Sequence, residues 1–159
     1  MAGYIYRLAH PSEIPAMHSL VKKVFLQFEA PDYSTDGISE FLNYIQMDPW
    51  VLRMQGGGIS IICMSDDLMI GVLEMRKEDH LSLLFVDANY HHQGIASSLW
   101  QKALDLVKNN PSEIEKITVN SSPYAVQFYK KLGFVQTMDR QERNGIIFFP
   151  MVYELSQKV

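Results

Sequence analysis

The chain carries one cysteine, Cys63, in 159 residues. That excludes an intrachain disulfide and a cysteine-based zinc cluster, and no metal site is expected. Positive charge is short as well. Fourteen basic residues stand against 18 acidic ones, for a net charge of -4. A sequence-independent nucleic-acid binder needs a basic face, so no nucleic-acid partner is expected. No run approaches the ~20 apolar residues of a membrane span, which removes a membrane partner from the expectation. The start, Met1 to Leu8, has no charged region followed by an apolar core. No signal peptide is expected there, and a cytoplasmic, reducing setting is the default. Neither G-x-G-x-x-G nor G-x-x-x-x-G-K-[ST] occurs, so dinucleotide and nucleoside-triphosphate sites are poor fits. Internal repeats, low-complexity tracts and linkers are missing too.

What remains is ordinary globular material, 47% hydrophobic and 20% charged. It predicts one domain over residues 1–159 with a single sizeable core. Tyr4 to Ala9 alternates like a strand. Ile14, Met17, Leu20, Val21, Val24, Phe25 and Phe28 recur at helical spacing until Pro31. Ile38, Phe41, Leu42 and Ile45 form a second amphipathic stripe, ended at Asp48-Pro49. Three strands are predicted next: Trp50 to Met54, Ile59 to Met64, and Leu68 to Arg76, joined by glycine- and aspartate-containing turns. A strand over Leu81 to Val86 then runs into a helix carrying Ile95, Leu99, Ala103, Leu106 and Val107. Asn109 to Ser112 closes that helix, and Ile114 to Val119 is a further strand. Ser122 and Pro123 open a last helix with Val126, Phe128, Tyr129 and Leu132, stopped by Gly133. Phe134 to Leu155 reads as two extended segments turned by Asn144-Gly145, the strongest short hairpin signal. The order predicts an α/β fold whose sheet is mostly antiparallel with a parallel pair at its centre.

The join at Gly94 draws attention. A strand entering a helix through Gly94, Ala96, Ser97 and Ser98 leaves the first helical N–H groups unpaired and aimed at one spot. The helix dipole favours an anion there, and Gly94 lets it approach the backbone. His91 and His92 are adjacent and cannot act as an i, i+4 metal pair. A solvated loop suits them, with a phosphate contact when protonated.

His91-His92-Gln93-Gly94-Ile95-Ala96, after Leu84-Phe85-Val86, resembles the pyrophosphate loop Arg/Gln-x-x-Gly-x-Gly/Ala of the GNAT superfamily of acetyl-CoA-dependent N-acetyltransferases. His91 departs from the pattern, standing where Arg or Gln is usual. The stretch Asn120 to Phe134 is similar to that family's second motif, with Ala125, Tyr129, Gly133 and Phe134 in register. Two motifs in order, covering Leu84 to Phe134, identify the chain with the family. The resemblance implies a GNAT-like fold with splayed central parallel strands flanked by helices. Acetyl-CoA would lie in the splay as cosubstrate. Its pantetheine would pair near Phe85 and Val86, with the pyrophosphate on the N–H groups of His92, Gln93, Gly94, Ile95, Ala96 and Ser97, and with His91 in the same binding loop. Asn120, bonding the pantetheine amide through its side chain, and Phe128 complete the implied binding set.

The implied reaction is direct attack of a primary amine on the thioester. Tyr129 would protonate the leaving thiolate, and a backbone N–H near Val86 would hold the oxyanion. Without the motif, Tyr129 beside Phe128 reads as core. Three routes take the proton of the amine: Glu74 on the strand before the cradle, His80 with its intrinsic pKa near ~6.5, or bulk water through a relay. The acceptor amine is not identified. Its walls are expected at the Glu29–Asp36 turn and the Asp139–Gly145 hairpin tip, whose mixed charges select no substrate class. A homodimer is compatible with the chain. The alternative reading is a non-catalytic acyl-CoA sensor or regulatory module.

Overall fold

The computed structural model describes residues 3–110 and 114–155. Pro111 and Ser112, assigned above to a helix end, lie outside them. Tyr4–Leu8 forms β1, and Ile14–Phe28 forms α1 behind a one-turn entry at Pro11–Glu13. In that turn His10 Nδ1 accepts from the N–H of Ser12, and the Glu13 carboxylate accepts from the N–H of His10. Both leave fewer orphan donors at the helix start. Thr35–Tyr44 is α2, capped by Ser34 Oγ, which accepts from the N–H of Gly37.

Met47–Gln55 is a third helix, α3, where a strand over Trp50 to Met54 was expected. Asp48-Pro49 starts this helix instead of ending the one before. Proline in a first turn loses no hydrogen bond, and Asp48 there favours the dipole. A short apolar run such as Trp50 to Leu52 fits either a strand or a buried helix face. Trp50 decides for the helix: it is fully buried, and its Nε1–H donates to Ser60 Oγ at 3.1 Å.

The remaining elements are β2 (Ile59–Ser65), β3 (Leu68–Lys77), β4 (His80–Val86), α4 (Ile95–Lys108), β5 (Lys116–Ser121), α5 (Val126–Leu132), β6 (Val135–Gln136), β7 (Gln141–Arg143) and β8 (Ile146–Glu154). Two segments were expected after Gly133, but three strands form, because β6 and β7 each pair with β8. Asn144 and Gly145 both take positive φ, 52° and 83°, as a two-residue hairpin turn requires.

The sheet runs β1-β2-β3-β4-β5-β8-β6, with β7 on β8. All described pairings are antiparallel except β4–β5. That parallel pair registers only at His80↔Thr118 and Leu81↔Val119. β5 then stays with β8 along its whole length, while Ser82 to Val86 lose β5 and keep only β3. Two register shifts in the β3–β4 ladder, at Glu74/Met75 and Met75/Lys77, lie beside this fork. Bulges of that kind raise the local twist. The two central strands therefore open into a V.

Each sheet face is covered. α4 and α5 pack Ile95, Leu99, Trp100, Tyr129 and Phe134 on Leu73, Met75 and Val119. α1, α2 and α3 pack Phe25, Ile45 and Trp50 on Ile62, Val72, Leu83 and Phe85. Complete burial of one such side chain contributes about 1.5–3 kcal/mol before the entropy of ordering is counted. Among the described residues no helix is long and apolar enough to cross a membrane.

Candidate active site

A cavity of about 670 Å³ opens beside the end of β4, next to the V. Its walls are Leu84 to Val86 of β4, the His91–Ser97 turn, Val24 and Phe28 of α1, and Tyr124 to Lys131 around α5. Gly94 is left-handed at φ 78°, and His92 has φ 65°. These turns bring the start of α4 toward the cavity. The first helical bond runs from the N–H of Ser98 to the carbonyl of Gly94 at 3.0 Å. The N–H groups of Ile95, Ala96 and Ser97 therefore precede the ladder, and no side chain caps them. A Cβ on Gly94 would meet nothing within 4 Å, so the space over this residue is open to a ligand. Free N–H donors, the positive end of a 14-residue helix and Lys131 suit a pyrophosphate. The open edge of β4 suits an extended amide-bearing chain.

Phe85, Val86, His91, His92, Gly94, Ile95, Ala96, Ser97, Phe128 and Tyr129, all named from the sequence, line this cavity. Two others lie elsewhere. The Gln93 side chain accepts from the hydroxyl of Tyr4, and Asn120 faces the second cavity described below. His91 is held more firmly than a solvated loop residue. Its Nε2–H donates to the carbonyl of Val86 at 2.8 Å, and its ring packs 5.1 Å from Phe28.

A second cavity, about 270 Å³, lies between α2, the C-terminal half of the sheet and the β7–β8 hairpin. Its floor carries Glu29, Ser82, Ser122 and Tyr129. Tyr33, Phe41, Tyr44 and Phe148 give aromatic walls, and Glu40, Arg76 and Arg143 stand at the exposed rim. The hairpin closes this cavity by backbone contact. A Cβ on Gly37 would overlap the carbonyl of Gly145, and one on Gly145 would overlap Ser34 Oγ. Ser34 N–H also donates to the Gly145 carbonyl at 3.2 Å.

The two cavities meet. Glu29, Leu84, Phe85, Ala125 and Tyr129 line both, and only Glu29 and Tyr129 of these five titrate. Tyr129 is held by edge contacts to Phe128 and Phe134 at 5.5 and 5.4 Å. Burial raises its phenol well above the ordinary value, and the nearby Glu29 carboxylate adds to this. Its proton therefore stays on until a strong base is close. Burial likewise pushes Glu29 up to about 7, against the pull of the Ser122 hydroxyl and with a smaller push from Asp32. Ser122 is 7% exposed, and its Oγ lies near the Glu29 carboxyl without making a hydrogen bond of full geometry. It does not cap the helix at Pro123, as expected from the sequence, but faces the cavity.

The two strand candidates for the base behave differently from expectation. Glu74 faces the α2–α3 side but is 1% exposed and lines neither cavity. Its Oε1 accepts from Tyr44 at 2.9 Å and Ser82 at 2.8 Å, and its Oε2 from Arg53 Nε at 2.6 Å. A carboxylate so enclosed holds Tyr44 and Ser82 in place and offers no direct contact to a substrate. His80 does line the second cavity, with Nδ1 2.7 Å from Thr118 Oγ1. Burial, helped by Arg76, lowers it from 6.5 to about 4, so a pH limb at the unperturbed imidazole value is not expected from it. Sequence reasoning placed Glu29 only on an acceptor wall. It carries no motif, and its position opposite Tyr129 arises from the way α1 ends.

Comparison with known proteins agrees with this geometry. The acetyltransferase (GNAT) domain family matches residues 29–155. The chain is 31% identical over 84 residues to N-alpha-acetyltransferase 30 of Schizosaccharomyces pombe, an alignment spanning 47% of this chain and 56% of that protein. The chain thus spans little more than half the length of that relative. In structure it is similar to a GCN5-related N-acetyltransferase from Rhodopseudomonas palustris, with TM-score 0.81, 19% identity and 97% of each chain covered. It is also similar to the PaiA N-acetyltransferase of Thermoplasma acidophilum in complex with coenzyme A. There the TM-score is 0.79 at 16% identity, with 96% and 99% covered. At those identities the structures speak for the fold, and the domain match for the lineage: with its open central strands and uncapped helix start, this chain belongs to the GNAT family of acyl-CoA-dependent N-acetyltransferases.

Proposed function

We propose that residues 1–159 act as one N-acetyltransferase domain that moves an acetyl group from acetyl-CoA to a primary amine by direct attack. The observation that carries this is the meeting of two cavities at Tyr129. The larger one suits the donor, through the backbone donors at Ile95 to Ser97 and the open edge of β4. Acetyl-CoA supplies the activated thioester there. The smaller cavity takes the amine, and its floor brings nitrogen to the thioester carbon. N–H groups on the open edge near Val86 are placed to receive the oxyanion. When the C–S bond breaks, the phenol of Tyr129 gives its proton to the departing sulfur. Asn120 faces the amine side, and its role is read as acceptor contact rather than pantetheine contact. A cytoplasmic setting with a free acetyl-CoA supply fits the reading.

A pure acyl-CoA sensor would need the larger cavity alone. A phenol at the junction and a second polar cavity beyond it favour turnover. The neighbour bound to coenzyme A supports the donor assignment, and the yeast relative's name places peptide α-amines among acceptors worth testing. The test has two parts. Calorimetry should show acetyl-CoA binding to the wild type and, in folded Gly94→Glu, an affinity lower by about 100-fold or more. The new carboxylate would stand where the pyrophosphate belongs. Unchanged affinity would remove the donor assignment. A panel of simple amines, short peptides and aminoglycosides, read as CoA release, then finds the acceptor class.

A further inference from the structure

We propose that Glu29 is the counter-ion of the acceptor ammonium and the base that removes its proton, and that the amine is carried on a compact aromatic body. This rests on the acyl-transfer reading above and goes one step further, to the group that readies the nucleophile. An amine arrives protonated at neutral pH and must lose a proton before its lone pair can attack. The residue responsible must stand where both cavities open, since the nitrogen comes from one and the thioester carbon from the other. Glu29 and Tyr129 are the titratable residues at that place. Tyr129 is suited to give a proton, which leaves the carboxyl to take one.

The local sequence explains the placement. α1 cannot continue through Pro31, and Glu29 caps it with its N–H on the Phe25 carbonyl at 2.9 Å. The chain then turns through Ala30–Asp32, which leaves the Glu29 side chain at the junction of the cavities. Asp32 and Tyr33 neighbour Glu29 on its own turn. Tyr129 and Ser122 face it from the α5 side. Glu40, Arg76, His80 and Arg143 line the acceptor cavity, and His91, His92 and Lys131 the donor cavity. No ion pair to Glu29 is formed by any of these cations. Desolvation leaves its carboxyl half-protonated near neutrality, suited to accept and release a proton each cycle. Ser122 Oγ, beside the Glu29 carboxyl, has lone pairs left to accept from an ammonium N–H. Tyr33, Phe41 and Phe148 then surround whatever carries the amine, and aromatic faces favour both a flat body and a cation.

The protons balance. One N–H proton passes from the ammonium to the Glu29 carboxylate and leaves through the acceptor mouth. The free amine forms the C–N bond, the C–S bond breaks, and the thiolate takes the proton of Tyr129. The second N–H proton, released as the amide forms, restores the phenol. The net products are amide, CoA thiol and one proton.

The test uses protein labelled with carboxyl-¹³C glutamate, with the Glu29 resonance assigned through Glu29→Gln and checked against Glu29→Asp. In the wild type this resonance should titrate near neutral pH, apart from exposed carboxyls. It should shift on adding phenethylammonium and not on adding 2-phenylethanol. With phenethylamine as acceptor, Glu29→Gln should lose about 10²–10³-fold in kcat/KM, together with the limb near pH 7. Acetyl-CoA affinity should stay intact and Glu29→Asp should recover part of the rate. Tyr129→Phe should lose turnover yet keep the limb. A Glu29 resonance that titrates with surface carboxyls, or ignores the ammonium, overturns the proposal. So does a Glu29→Gln variant with unchanged rate and pH profile. Wild type that binds acetyl-CoA but releases no CoA with phenethylamine overturns the aromatic acceptor. Wild type that does not bind acetyl-CoA overturns the acyl-transfer reading instead.

Discussion

The donor cavity draws its walls from three stretches, Val24 to Glu29, Leu84 to Ser97 and Tyr124 to Lys131, and much of its recognition surface is main chain. The acceptor cavity draws side chains from segments spread between Glu29 and Phe148, on five strands, two helices and several turns. Backbone donors are present whatever side chains surround them, so the first cavity tolerates His91 at a position where the family pattern has Arg or Gln. The second depends on which side chains project, and a single exchange there alters shape, charge or proton chemistry. A site for an invariant ligand suits the first construction, and a site for a variable one suits the second.

The sharpest way to separate the two is Tyr129→Phe. Ring packing against Phe128 and Phe134 is kept and one hydroxyl is lost. Acetyl-CoA affinity by calorimetry should stay the same while kcat falls by about 10²–10⁴-fold. Equal turnover, with chemistry rate-limiting, would show that the junction needs no proton donor.

A smaller effect is expected from Glu74→Gln, which tests whether the acceptor wall rests on a buried charge pair. Removing one partner leaves Arg53 enclosed and uncompensated, a loss of about 3–5 kcal/mol in denaturant unfolding. The pH–rate limb should persist in the folded fraction. Loss of that limb with unchanged stability would return Glu74 to proton transfer.

The smallest effect is in the pH dependence of stability, about 1–3 kcal/mol for each group. His80 is lowered in the fold from 6.5 to about 4, so its contribution is present above pH 6.5 and is lost as pH falls from there toward 4. Glu29 is raised from 4.5 to about 7, so its contribution is full below 4.5 and is lost as pH rises through 7. Thermal melts should show His80→Gln flattening the acid side and Glu29→Gln the alkaline side. Curves that stay parallel to wild type would show that neither group is desolvated.

The same division explains what could be read from the chain. The donor cavity was legible because its parts are near in sequence: an apolar run, a turn, Gly94 and an amphipathic helix, then Ala125 to Phe134. The central parallel pair and the hairpin at Asn144-Gly145 followed from local pattern as well. α3 was misread because Asp48-Pro49 can end one helix or begin another, and four apolar residues cannot tell a strand from a buried turn. Glu74 is suggested by its strand position and His80 by its intrinsic pKa. Their usefulness depends instead on Arg53, Tyr44 and Thr118, which approach only through packing. Glu29 had no motif at all. A helix broken by proline next to a glutamate is common, and only the fold sets that glutamate opposite Tyr129.

Gly37 and Gly145 meet main chain to main chain, and Ser34 Oγ ties them, accepting from the N–H of Gly37 and donating to the carbonyl of Gly145. In the acyl-transfer reading, the roof over the amine is thus hung from the start of α2 by backbone contact and one serine hydroxyl. Arg143 and Glu40 project beside that point and can be exchanged without unhooking the roof. Any residue larger than glycine at 37 or 145 would lift it. In the proposed reading, the molecule separates the part of its acceptor specificity that can drift from the pivot that cannot. New amines can be sampled by changing a few rim residues while the roof stays attached at the same place.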